Sequence, residues 1–192
     1  MIANAVGEKV SIVAILDDTA ETVEDLLWMQ DLLIKYPKLN ICLLVNTAQI
    51  SINFSSQMLS DVLNSPNFSE LAGRMGNQFN YLEIYSPFIS FQTNFLQESA
   101  RTAISGANIV YVKGANFFET CQIPDKDTFY GFIVFGPISR LYTGLQDFDA
   151  VFAYVPKGQT GYLNHRDKAK IRTLKDVCTS RRQSSGGHNE CI

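Results

Sequence analysis

Residues 9–16, Lys-Val-Ser-Ile-Val-Ala-Ile-Leu, form a short, mostly apolar run rich in β-branched side chains. Such a run reads as a strand buried on both faces, and a strand is buried that way when helices cover both sides of its sheet. The period then changes. Val23, Leu26, Leu27, Leu33 and Ile34 recur at near-helical spacing, with Glu24, Asp25 and Asp31 among them. This predicts an amphipathic helix with Asp18 or Thr19 as its N-cap, ending before Pro37.

The alternation continues along the chain. A second buried strand is expected over 40–45, followed by a polar loop over 46–54 and a short helix over 57–63. An alternating strand over 79–85 and a helix over 95–104 come next. A strand over 108–112 is closed by Lys113-Gly114, and a short helix starts near Asn116. Two more strands are expected over 129–135 and 150–155, with a helical or irregular segment between them. Strands alternating with helices across short loops imply βαβ crossovers. The predicted fold is α/β, a Rossmann-like three-layer sandwich with a mostly parallel central sheet.

The 192 residues are 46% hydrophobic, enough for one well-filled core. Residues 1–179 read as a single α/β domain. The sequence turns polar from Gly158, and 180–192 read as a flexible tail. A net charge of -3 lacks the basic stripe that nucleic-acid binding needs. No apolar stretch approaches the ~18 residues of a membrane span. Cys42, Cys121, Cys178 and Cys191 form no C-x-x-C pair, and the N-terminus shows no signal-peptide pattern. The expectation is a cytoplasmic protein whose partner is a small molecule, with neither nucleic acid nor membrane.

With only His165 and His188 in the chain, a histidine-based triad or zinc site is hard to build. Carboxylates, amides and Lys/Arg must carry any chemistry. Open parallel sheets bind ligands at the carboxyl ends of their strands. Residues 17–21, 46–53 and 113–116 fall there. Adjacent Asp17 and Asp18 suit a hard divalent cation, which takes oxygen ligands. The competing reading is an N-capping Asp18 beside a solvated Asp17. Lys113-Gly114 puts a cation and a closely approachable backbone at a strand end, where phosphate would meet the charge; local pattern alone favours a glycine turn with a surface lysine. No G-x-G-x-x-G follows a strand, and no P-loop pattern occurs.

Two motifs together resemble the metal-dependent damage-control phosphatases. That family carries Asp-Asn-Ala-Gly-Glu between a strand and a helix, and residues 17–21 read Asp17-Asp18-Thr19-Ala20-Glu21. It also carries Lys-Gly-x-x-Asn-(Phe/Tyr)-Glu at a strand end, and residues 113–119 read Lys113-Gly114-Ala115-Asn116-Phe117-Phe118-Glu119. The resemblance implies hydrolysis of small phosphorylated metabolites with a divalent metal such as Mn, Mg, Co or Ni. It makes Asp17 and Lys113 the catalytic candidates. Lys113, Gly114 and Asn116 become substrate-binding candidates, and Asp17, Asp18 and Asn53 metal ligands. The chain departs from the pattern in several places. In the second motif Asn116 comes one residue early, or Phe118 is an insertion. Asp18 stands where the family has Asn, and Phe54 stands where it has a second ligand Asp. No counterpart of the family's N-terminal helical domain is expected within these 192 residues. The alternative reading is a non-catalytic or repurposed member that binds a small anionic metabolite or performs a biosynthetic step.

Overall fold

Strands buried on both faces require two helical layers, and the computed structural model supplies them. It describes residues 8–49, 52–85, 95–121, 123, 125–158 and 172–173. Phe88, Phe91, both histidines, Cys178, Cys191 and the expected tail over 180–192 lie outside the described residues.

β1 (Val10–Ile15) leads into α1 (Thr19–Lys35), then β2 (Leu39–Asn46), α2 (Ser56–Leu63), a 3-10 turn (Pro66–Phe68) and α3 (Ser69–Ala72). β3 (Phe79–Ile84), α4 (Glu98–Gly106), β4 (Ile109–Lys113), α5 (Ala115–Thr120) and β5 (Thr128–Ile133) follow. α6 (Pro137–Thr143), β6 (Ala150–Val155) and β7 (Arg172–Thr173) complete the order. The described strands form one seven-stranded sheet in the order β3-β2-β1-β4-β5-β6-β7. The pairs from β3 to β5 are parallel, and β6 and β7 add antiparallel ribs at one edge. The α/β, mostly parallel expectation therefore holds.

Three elements differ from the sequence reading in bounds or setting. The helix expected from Phe95 starts at Glu98, because Gln97 in extended conformation is its N-cap. The strand expected to reach Phe135 ends at Ile133, ahead of Gly136-Pro137, which open α6. The alternation over 79–85 belongs to an edge strand, whose Asn80, Tyr81 and Glu83 are exposed.

Two clusters of buried side chains lie on the two faces of the sheet. On one face, Leu26, Met29 and Leu33 of α1, Leu59 of α2 and Leu71 of α3 pack over Ile12, Ala14, Ile41 and Leu43. On the other, Ala100 and Ile104 of α4 and Phe117 and Phe118 of α5 pack over Val13, Ile15, Val110 and Val112. Phe118 stacks on Phe132 at 4.4 Å and meets Tyr130 edge-on at 5.4 Å. The α1 layer stops at β4. Beyond it Phe152 and Tyr154 of β6 are exposed. A cavity of about 280 Å³ opens there between Trp28 and Met29 of α1 and Phe129 and Phe152. Among the described residues no helix is long and apolar enough to cross a membrane.

The chain walks from β1 to β2 and β3 in one direction, then returns to β4 on the other side of β1. The β1/β4 boundary is thus the topological switch point, where the two connections diverge and leave a crevice at the strands' carboxyl ends. Phe118→Ala is expected to cost about 3–5 kcal/mol, since a large, fully buried ring leaves a void. Tyr85→Ala, at an exposed site, is expected to stay within about 0.5 kcal/mol. Urea denaturation of both variants checks this.

Candidate functional site

Asp17 leaves β1 at the switch point and Lys113 ends β4 beside it. What lets the two ends approach is Gly114. Its φ is +106°, in the region that disfavours L side chains, and a Cβ there would stand 2.5 Å from Asp17 Oδ2. Glycine at this position answers a close approach, beyond serving as a turn residue.

The other wall is the strip after β2. Phe54 N donates to Asp17 O at 2.9 Å, and Thr19 N donates to Ile52 O at 3.0 Å. Thr19 Oγ1 donates to the same Ile52 carbonyl at 2.6 Å. Asp18 and Asn53 form an antiparallel bridge, and Asn46 and Ser55 a parallel one. This stitching brings the Asn53 amide over the end of β1, where its Nδ2 donates to Asp17 Oδ1 at 2.7 Å. Asn53 is buried, so the bond is shielded from water.

Burial pushes the Asp17 carboxyl up to about 7, with the neighbouring charges of Asp18 and then Glu21 adding to the effect. A carboxyl that titrates near neutrality in a strand-end crevice is a recognised mark of a functional site.

Asp18 Oδ1 accepts from Ala20 N at 2.8 Å and caps α1. The capping reading therefore holds for that oxygen. Asn116 lies in the first turn of α5, and its carbonyl accepts from Thr120 Oγ1 at 2.7 Å. Phe54 is buried in the core of the α1 face.

Lys113 is drawn toward α1. Its Nζ lies 3.4 Å from Glu21 Oε2 and 3.4 Å from Asp25 Oδ2. Sequence reading placed Asp25 among the polar residues of the helix, yet it is buried. The signal was its register. Asp25 falls with Thr22, Leu26 and Met29 on the face of α1 turned to the sheet. Burial holds its carboxyl above the usual range, and the Lys113 charge offsets this only in part.

The structure thus gathers Asp17, Asp18, Asn53 and Gly114 at one point, with Lys113 at the flank on β4. Two carboxylates and the Asn53 amide meet around Asp17, with the amide turning its Nδ2 to Asp17 Oδ1, and the negative charge gathered there suits a hard cation. Among the described residues no group of three or more His, Cys, Asp or Glu side chains is gathered as a metal cage. A cation there would rest on two carboxylates, one amide and water.

No protein-family model matches the sequence, and no curated protein matches it. Among solved structures the fold is similar to that of a DUF89 family protein from Pyrococcus horikoshii, with a TM-score of 0.62 and 14% sequence identity. The likeness covers 77% of this chain and 48% of that one, so the chain spans about half the length of the protein it matches. At that identity the likeness is one of fold.

Two outcomes are expected. Gly114→Ala should lose about 1–3 kcal/mol for the left-handed backbone alone, with more for the contact with Asp17; urea denaturation measures it. The Asp17 carboxyl binds its proton more tightly folded than unfolded. Its stabilising contribution is whole below the unfolded value of 3.8 and is lost as pH rises through about 7. In metal-free buffer, Asp17→Asn should therefore match the parent's melting temperature near the lower of these pH values and exceed it above the higher. A gap that does not change with pH contradicts the assignment.

Proposed function

We propose that the chain is a metal-dependent, phosphatase-like hydrolase acting on a small phosphorylated metabolite at the carboxyl ends of β1 and β4. The observation that carries this reading is the meeting of Asp17 and Lys113-Gly114 across the switch point, with room made by a glycine no other residue can replace without displacing Asp17. The two sequence motifs and the fold likeness to a DUF89 family protein support the same reading.

Asp17, Asp18 and Asn53 would hold the cation, which when bound supplies Lewis acidity and an acidified water at neutral pH. The chain's own groups do the rest. Asn53 Nδ2 fixes Asp17 Oδ1 and so orients the carboxylate. The Lys113 ammonium meets a phosphate oxygen and stabilises charge developing on the transferred group. Gly114 lets the anion approach the backbone, and Asn116 lies at the start of the adjoining helix.

A second reading is favoured by Phe54. With a core phenylalanine in place of the second ligand Asp, the crevice would bind an anionic metabolite without turning it over.

Phosphate release from sugar phosphates and an aryl phosphate, with Mn²⁺, Mg²⁺, Co²⁺ or Ni²⁺ added, decides between them. Metal-dependent turnover that falls about 100-fold in Lys113→Met is expected. No turnover with any metal, alongside a metal-independent thermal shift by the phosphorylated compounds, hands the case to the second reading.

A further inference from the structure

Lys113 is held by two carboxylates that differ in kind. Glu21 and Asp25 lie four residues apart on α1, on the same side of the helix. Their side chains are 38% and 11% exposed, against 19% for Lys113. Lys113 Nζ reaches Glu21 Oε2 at 3.4 Å, Asp25 Oδ2 at 3.4 Å and Asp25 Oδ1 at 3.5 Å. The Tyr111 hydroxyl, two residues earlier on β4, faces the same Asp25 carboxylate.

Burying a carboxylate among Thr22, Leu26 and Met29 is costly, and an apolar residue would serve packing at least as well. A buried ion pair is poor evidence of a stability role. The Glu21 contact is the more open of the two, and so the weaker and the more readily exchanged with another anion.

We propose that Asp25 is a positioning residue that keeps the Lys113 ammonium at the β1/β4 crevice, while Glu21 is the exchangeable partner that an incoming phosphate oxygen displaces. This rests on the phosphatase-like reading of the same crevice. An ammonium has three donors, so Asp25 retains its share while Glu21's share passes to the anion.

The test is calorimetric titration of inorganic phosphate, with Mn²⁺ present, into the parent protein and into Glu21→Gln, Asp25→Asn and Asp25→Glu. Simple charge counting predicts that both neutral variants bind phosphate more tightly, since each removes one negative charge near the anion. The proposal predicts opposite signs. Glu21→Gln should tighten binding several-fold, and Asp25→Asn should weaken it about tenfold. Asp25→Glu, which keeps the charge on a longer arm, should fall between Asp25→Asn and the parent. Tighter binding in Asp25→Asn overturns the assignment. Should Asp25→Asn fail to fold, Asp25→Glu decides: a several-fold loss supports it and parent-like affinity overturns it.

A parent protein that binds no phosphate speaks against the phosphatase-like reading, and the role of Asp25 is then read without ligand. In ¹⁵N-lysine NMR the Lys113 ammonium signal should be protected in the parent and in Glu21→Gln, and broadened away in Asp25→Asn or Asp25→Glu. A signal that persists in the Asp25 variants overturns the assignment.

Discussion

The architecture turns on the contact between Gly114 and Asp17. β1 and β4 are neighbours in the sheet, and their ends diverge toward opposite helical layers. A crevice at that point closes to contact distance only if one strand end has no side chain. Gly114 meets that need, with a positive φ that turns the chain into α5. Once the two ends touch, Asp17 is flanked by the Asn53 strip on one side and by β4 on the other. Its burial and its raised carboxyl pKa follow from that enclosure.

The charge balance of the crevice has a second tier. Asp17, Asp18, Glu21 and Asp25 set four carboxylates around the start of α1, and Lys113 is the cation paired with two of them. The lysine cannot answer Asp17 as well. The surplus therefore remains on the Asp17 side, where a cation would relieve it. Lys113 and the cation candidates thus occupy different parts of the crevice, as an anionic substrate bridging the two would require. The pairing of Lys113 to α1 keeps it apart from Asp17.

Much of the fold was legible because burial on both faces leaves a local trace. The apolar runs of β1, β2 and β4 and the helical period of α1 gave the layers and the parallel sheet. The positions of Asp17 and Lys113-Gly114 at strand ends were legible for the same reason. What stayed hidden depends on long-range placement. The Asn53 amide reaches Asp17 only because residues 52–54 pair with residues more than thirty positions earlier. The burial of Asp25 was written in its register on α1, but acidic residues on a helix are ordinarily solvated and the ion pair with Lys113 is a tertiary fact. Gly114 read as a turn glycine or as an approach point for phosphate, and its contact with Asp17 stayed hidden because no local pattern reports which side chain a strand end will meet. The exposed aromatic face of β6 was not legible, since alternation along a strand does not say whether a helix covers either face.

The central claim is that the Asp17 end of the crevice is the cation site of an anion-binding cleft. Manganese is its own probe, since its paramagnetism broadens nearby amide signals. Substoichiometric Mn²⁺ added to ¹⁵N-labelled protein should first erase the amides of residues 17–19, 52–54 and 114–115, and Asp17→Asn should abolish that pattern. Broadening centred elsewhere, or the same broadening in Asp17→Asn, would contradict the account.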